Sequence, residues 1–172
     1  MIICRTPFRV SFFGGGTDMP KWYKKNGGQV VNASINRYGF ISFTKKDDVY
    51  NYKYKIRYYL NEEAKNLSSI KHPVVKSCLK FYNLSEETLH ITYDADLPAK
   101  SGLGSSSSFT TGLINTINFY KNANISKEIL AKQTIHMEQN ILKETVGNQD
   151  QIAASYGGLN HIIFEKERFV VK

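Results

Sequence analysis

The sequence predicts a fold that mixes strands and helices, and three observations carry that expectation. Much of the N-terminal part alternates apolar and polar residues at the two-residue period of strands. Later segments place apolar residues three and four apart, the period of helices. Between them lies Pro98 to Phe109, P-A-K-S-G-L-G-S-S-S-S-F, the stretch the rest of the chain is organised around.

Ile2 to Phe13 has strand character, broken by Pro7, and runs into Gly14-Gly15-Gly16-Thr17-Asp18. Three glycines allow a tight turn and close backbone approach, with Asp18 held just beyond it. Arg9 and Asp18 flanking that turn suggest a polar site at a strand end. Asp18 also reads as the N-cap of a short helix from Met19 to Lys25, and the two readings are compatible. Asn26-Gly27-Gly28 closes that helix, after which Val30 to Ile35 and Tyr38 to Phe43 read as two strands around a turn at Asn36-Arg37.

Lys45, Lys46, Lys53, Lys55 and Arg57 form the densest basic region and interleave with Tyr50, Tyr52, Tyr54 and Tyr58 as an alternating strand. Such a strand is ordinarily a hairpin with a packed tyrosine face and a solvated lysine face. A basic aromatic surface for single-stranded RNA is the rarer alternative. His72-Pro73 starts a helix with proline in its first turn, and Val74, Val75, Cys78, Leu79 and Tyr82 make its buried face.

Leu89, Ile91 and Tyr93 alternate with His90 and Thr92 as a half-buried strand that leads into the glycine stretch, and Phe109, Leu113 and Ile117 mark the helix that follows. In this strand–loop–helix unit, Gly102 and Gly104 let the backbone approach a ligand. The first free amides of the helix, with the positive end of its dipole behind them, suit an anion, above all a phosphate. The pattern is neither a P-loop, since no Gly-Lys-Ser/Thr follows at the required spacing, nor G-x-G-x-x-G, since Ser107 stands where the third glycine belongs. Taken alone the stretch reads equally well as a Gly/Ser turn with a serine N-cap.

Ser126 caps a helix running from Lys127 to about Lys143, in which Ala131, Ile135, Glu138 and Leu142 share one stripe. Glu138 therefore sits in an inward-facing row, and a buried carboxylate must be paired or hold a cation, so it is a salt-bridge partner or a metal ligand. His136 and His161 read as satisfied or exposed histidines. The polar run E-T-V-G-N-Q-D-Q-I from Glu144 to Ile152 turns around Gly147 and opens a short helix from about Asp150 to Tyr156. Asp150 falls near that helix N-terminus, where its charge is favoured. Gly157-Gly158 ends the helix, and Leu159 to Phe164 with Phe169 to Val171 reads as a hairpin.

Composition sets the outer bounds. With 172 residues, 41% hydrophobic and 22% charged, the chain has material for one core. It holds no apolar run long enough to span a bilayer and no signal-peptide core at Met1, which predicts a cytoplasmic protein without a membrane partner. Cys4 and Cys78 lack metal-ligand spacing and read as reduced core residues. The formal charge of +8 favours an anionic partner such as a nucleotide, a sugar phosphate or nucleic acid. The chain stops inside a strand pattern, which predicts that residues 1–172 are an N-terminal piece of something longer.

Three motifs in order carry a family resemblance. R-x-P-x-R-V-x-F-x-G-G-G-T-D from Arg5 to Asp18, P-x-x-x-G-L-G-S-S-S from Pro98 to Ser107, and E-T-V-G-x-Q-D-Q from Glu144 to Gln151 together resemble the GHMP small-molecule kinases. Within them the chain is most similar to the bacterial kinases that act on D-glycero-D-manno-heptose 7-phosphate. The resemblance implies the N-terminal GHMP-kinase domain, an ATP-binding α+β domain with a β-rich sheet and a left-handed β-α-β crossover. The family's third motif, a glycine-rich loop from a C-terminal α+β domain, is absent here, so activity is expected of the parent protein rather than of this chain alone.

Carried over by position, the resemblance gives ATP-phosphate binding to Lys100, Ser101, Gly102, Leu103, Gly104, Ser105, Ser106 and Ser107. Lys100 stands where relatives often carry a small residue. Ser106, with Ser105 as second choice, and Glu138 would hold Mg²⁺. Asp150 would be the catalytic aspartate with Arg9 beside it, and an aspartate so placed is expected to stay ionised. Arg9, Gly15, Gly16, Thr17 and Asp18 would bind the sugar, and Lys21, Lys24 and Arg37 are candidates for a distal phosphate. The implied activity is ATP-dependent phosphorylation of the anomeric hydroxyl of the heptose 7-phosphate to the 1,7-bisphosphate, for nucleotide-activated heptose in surface polysaccharide. The alternatives are a kinase for unphosphorylated fucose or galactose, or a silent nucleotide- or RNA-binding domain. The implied cofactors are ATP and Mg²⁺; the partners are small molecules rather than nucleic acid, with a homodimer as a candidate assembly.

Overall fold

The computed structural model describes residues 1–99 and 101–172. Its strands are β1 (Ile2–Phe13), β2 (Gly28–Lys45), β3 (Tyr54–Arg57), β4 (Asn61–Ala64), β5 (Leu89–Ala95), β6 (Leu159–Phe164) and β7 (Phe169–Val171). The α-helices are α1 (Pro20–Asn26), α2 (Pro73–Phe81), α3 (Ser105–Tyr120), α4 (Lys127–Ile135) and α5 (Gln149–Tyr156). All the strands join one mixed sheet, and the fold is α+β as expected.

The long strand β2 is the spine. One edge pairs antiparallel with β1 from Ile2↔Phe43 to Phe13↔Val31. The other edge is shared: β6 takes Gly28 to Ala33, and β5 takes Gly39 to Lys45. Beyond β5 lies β3, paired parallel from Tyr54↔Leu89 to Arg57↔Thr92, and then β4. The β3–β5 pair, joined through α2, is the sheet's β-α-β unit.

The turn expected at Asn36-Arg37 does not form. Between Pro7↔Tyr38 and Arg9↔Ser34 the register shifts, so a longer stretch of β2 lies opposite a shorter one of β1. Proline has no N–H to give the ladder, and a bulge absorbs the mismatch without reversing the chain. Each half of β2 keeps partners on both edges, which a turn would forfeit.

The alternating tyrosine strand is likewise shorter than its pattern. Only Tyr54–Arg57 is strand, and Tyr50 and Tyr52 precede it, stacked on each other with centroids 5.2 Å apart. Tyr54 is buried, and its hydroxyl donates to the carbonyls of Leu84 (3.1 Å) and Ser85 (2.8 Å). Lys53 and Lys55 pair with Glu86 (3.1 Å) and Glu63 (2.9 Å), so part of this basic region is locally neutralised.

Helices cover one face of the sheet. Ile41, Phe43, Ile56, Leu89 and Ile91 pack against Val75, Cys78 and Leu79 of α2 and Leu113 and Ile117 of α3. The α2 stripe is the one its spacing predicts, and Cys78 lies within it as a free thiol. A second cluster joins Val30, Ile162 and Phe164 to Ala131 of α4 and Ile152 of α5. The helix expected to run to Lys143 is α-helical only to Ile135, and His136–Ile141 continue as a π-helical turn, with Leu142 N–H donating to Met137 O at 2.9 Å. No described helix is long and apolar enough to cross a membrane.

Candidate active site

The glycine loop is fixed from below by β1. The Arg9 amide donates to Leu103 O (3.0 Å), and its Nη1 donates to Gly102 O (2.8 Å). Gly102 (φ 76°) and Gly104 (φ 73°) are left-handed, a conformation glycine adopts without strain. Gly104 is the N-cap of α3, in place of the serine cap the composition suggested. The first intrahelical bond runs from Ser108 N to Gly104 O (2.9 Å), which leaves the amides of Ser105, Ser106 and Ser107 without intrahelical acceptors. Three free amides at the start of a 16-residue helix make a preformed anion cradle. Lys100 lies outside the described residues, and Ser101 is exposed.

The serines then divide their duties. Ser108 Oγ donates to Thr6 O (3.1 Å) and ties the helix to β1. Ser107 Oγ donates to Glu138 Oε2 (3.0 Å), whereas Ser106 is exposed at the loop mouth. It is Ser107, one residue beyond the expected hydroxyl, that touches the carboxylate.

Glu138 is 1% exposed and has no ion-pair partner among the described residues, so the salt-bridge reading does not hold. The π-helical turn carries it inward, where Gln151 Nε2 also donates to Oε2 (2.5 Å). Burial pushes its carboxyl up, and the hydrogen bonds from Gln151 and Ser107 pull the other way. Its second oxygen, Oε1, is buried without a hydrogen-bond partner. An orphaned carboxylate oxygen, with the Ser107 hydroxyl on its neighbour and the anion cradle of α3 beginning at the same serines, is a donor set that fits a hard divalent cation such as Mg²⁺. No group of three or more His, Cys, Asp or Glu side chains converges among the described residues.

Asp150 sits in the first turn of α5 and meets Arg9 through Nε (2.8 Å) and Nη2 (2.7 Å), both on Oδ1. Arg9 does not keep this carboxyl in the ordinary range. Burial raises it, with the nearby Asp18 charge adding to the rise and Arg9 opposing it, because desolvation outweighs the pairing.

Asp18 is 3% exposed and does not cap α1, whose N-cap is Met19. Its Oδ1 accepts from Gly16 N and its Oδ2 from Gln149 N, each at 3.1 Å. The side chain therefore clasps the glycine turn to the start of α5. Gly147 has no room for a side chain, since a Cβ there would fall 1.8 Å from Asp18 Oδ2. Thr17 Oγ1 donates to Gly14 O (2.7 Å) and accepts from Gln29 N (3.1 Å), while Gly15, beside Ser11 and Gln149, and Gly16 are exposed.

An apolar cavity of about 490 Å³ opens beside the loop, lined by Tyr58, Tyr59, His72, Tyr93, Leu97 and Phe109, with Ser105 and Ser106 also on its wall. Burial lowers His72, favouring neutral imidazole, and its Nδ1 accepts from Val75 N at the start of α2. Apart from Tyr58, which belongs to the basic tyrosine strand, none of these aromatics stands out in the sequence as a site; only the packing of β3, β5 and α2 around α3 gathers them. Lys24 lines a different cleft with Lys132, Lys166 and Arg168, and Arg37 is exposed in the β1–β2 bulge.

The profile of the GHMP kinases N terminal domain matches residues 70–158, the span from α2 through the glycine loop to the end of α5. The chain belongs to the GHMP kinase family. It is 32% identical to the D-glycero-alpha-D-manno-heptose 7-phosphate kinase of Campylobacter jejuni over 97% of this chain and 52% of that protein. A solved D-glycero-D-manno-heptose 1-phosphate kinase of Bacteroides thetaiotaomicron superposes with a TM-score of 0.90 at 23% identity, covering 100% of this chain and 59% of that one. The phosphomevalonate kinase of Streptococcus pneumoniae, solved with phosphomevalonate and AMPPNP, superposes at 0.77 with 14% identity, over 100% and 58% of the two chains. These two likenesses show the GHMP fold. The chain spans about half the length of the heptose kinase it matches.

Proposed function

We propose that this chain works in an ATP-dependent sugar kinase that phosphorylates the anomeric hydroxyl of D-glycero-D-manno-heptose 7-phosphate. The observation that carries the reading is the Arg9 clamp: one side chain holds both the glycine-loop carbonyl of Gly102 and the Asp150 carboxylate. It thus fixes a phosphate cradle and a candidate base relative to each other. The 32% identity to a heptose 7-phosphate kinase supports this choice of substrate.

Phosphoryl transfer asks a protein mainly to position the nucleophile and neutralise developing charge. In this reading the free amides of Ser105, Ser106 and Ser107 receive the ATP phosphates, and the apolar cavity takes the adenine. Glu138 with Ser106 or Ser107 would hold Mg²⁺, which would supply positive charge to offset the charge developing on the transferred phosphoryl group. Asp150 orients the anomeric hydroxyl and accepts its proton. A carboxyl lifted by burial is a better base than an exposed one and suits that task. Gly15, Gly16, Thr17 and Asp18 form the wall against which the sugar lies. The enzyme is read as cytoplasmic, acting on small molecules.

A coupled assay of ADP release tests the substrate, with the heptose 7-phosphate, galactose and fucose offered in turn. Turnover with the heptose phosphate alone is expected. Turnover with an unphosphorylated sugar would replace the substrate, and none with any of them from protein that binds MgATP would overturn the assignment.

A further inference from the structure

Gln151 is fully buried, and it follows Asp150 directly on the first turn of α5. Burying a glutamine completely is unfavourable unless its amide has partners, and a core position here would be served as well by leucine or methionine. The Nε2 group has one strong partner, Glu138 Oε2 at 2.5 Å. That same oxygen also accepts from Ser107 Oγ at 3.0 Å. Both donors converge on one carboxylate oxygen, and the other is left bare.

Two buried acceptors therefore stand in this pocket without a donor, Glu138 Oε1 and Gln151 Oε1. Neighbouring acceptors that lack protons are satisfied together by a cation and its water, and all-oxygen donors of this kind suit a hard divalent ion. The backbone supports the arrangement on both sides. The π-helical turn His136–Ile141 carries Glu138 inward, and Ser155 Oγ donates to the Gln151 carbonyl at 2.7 Å within α5.

We propose that Gln151 is a positioning residue: its amide pins Oε2 of Glu138, so that Oε1 is presented to a divalent cation at the phosphate end of the glycine loop. The free Gln151 Oε1 accepts a hydrogen bond from a water of that cation. The inference rests on the reading of Glu138 as the cation's carboxylate. It also joins two parts of the site, since consecutive residues of α5 then hold the proton acceptor and the orienter of the metal ligand. Partners that orient a metal-binding group control its affinity by about 10–100-fold.

The test titrates Mn²⁺, in place of Mg²⁺, into protein saturated with AMPPNP and reads bound metal by electron paramagnetic resonance, without turnover. Gln151→Met, which keeps the length and removes the amide, is expected to weaken Mn²⁺ binding about 10–100-fold and to change the spectrum of the bound ion. Its affinity for metal-free ATP is expected to stay unchanged. Combined with Glu138→Gln, the same substitution is expected to add no further loss, because the group it orients is already gone. Folded Gln151→Met with wild-type Mn²⁺ affinity and spectrum would overturn the proposal, as would a fully additive double variant. Should Gln151→Met fail to fold, Gln151→Asn, an amide one methylene too short to reach Oε2, supplies the same two outcomes. Wild-type protein that binds AMPPNP but no Mn²⁺ would overturn the cation reading of Glu138 itself and the Gln151 proposal with it.

Discussion

Arg9 and Asp150 lie 141 positions apart and meet at 2.7–2.8 Å, with both guanidinium contacts on Oδ1. The other carboxylate oxygen is thereby left to the loop side, where a Cβ on Gly104 would come within 3.3 Å of Oδ2. A group that must take a proton from a hydroxyl next to the phosphates needs one oxygen held and one free, and this pair provides that division.

Replacing Arg9 with methionine keeps much of the aliphatic stem and removes the charge. The Arg9 and Asp150 side chains are 12% and 26% exposed, so the orphaned carboxylate stays largely desolvated. The expected loss is on the order of 3 kcal/mol of stability, measured by urea unfolding at neutral pH. A loss below about 0.5 kcal/mol, the level of an ordinary surface substitution, would mean the clamp holds nothing together.

Asp150 gives a pH dependence of defined sign. Its folded pKa is raised above the ordinary 3.8, so the native state holds the proton more tightly than the unfolded state. Stability from this group is accordingly full at acid pH and falls as pH rises through the window between the unfolded and the folded value. The melting temperature of wild type relative to Asp150→Asn is therefore expected to rise as pH falls through that window. The acid limb of kcat/KM should also lie above the ordinary carboxylate range, because transfer needs the ionised form. A limb at or below the ordinary value would contradict the desolvation.

Two glycine substitutions separate strain from collision. Gly102→Ala meets no atom within 4 Å but forces a side chain to φ 76°, and about 1 kcal/mol of destabilisation is expected. Gly147→Ala drives a methyl group to 1.8 Å from Asp18 Oδ2, and the bond from Gln149 must break. A larger loss, on the order of 3 kcal/mol, is expected there, with weaker sugar binding as well. Thermal melts of the two proteins side by side decide the order.

Tyr59 is 85% exposed yet lines the apolar cavity, so Tyr59→Ala should leave stability unchanged. If the cavity takes the adenine, loss of a stacking ring weakens ATP by about 1 kcal/mol, a five- to tenfold rise in its KM at constant sugar KM. An unchanged KM for ATP would remove Tyr59 from the nucleotide site.

Much of this was legible where a local rule decides the structure. The α2 stripe, the β6–β7 hairpin and the strand–glycine–helix unit follow from period and turn chemistry, and each forms where its pattern lies. The departures come from tertiary partners. β2 reads as two strands because Asn36-Arg37 has turn character, but β1 on one edge and β5 and β6 on the other hold it straight through a bulge. The helix after Ser126 keeps a regular inward stripe through Glu138 to Leu142, and nothing in that spacing announces the π-helical turn at Glu138. The aromatic cavity draws on β3, β5, α2 and α3 at once, so no window of sequence contains it. Asp18 is placed by its pattern at a strand end, while its clasp on Gln149 depends on a contact 131 positions away.

The most direct measurement is steady-state turnover of Asp150→Asn with the heptose 7-phosphate, made alongside calorimetric MgATP binding by the same preparation. The account predicts a fall in kcat of about 10²–10⁴-fold with MgATP affinity unchanged, since the substitution removes the proton acceptor and leaves the loop and the cavity in place. Turnover close to wild type from a variant that binds MgATP normally would show that Asp150 is not the base and contradict the account at its centre.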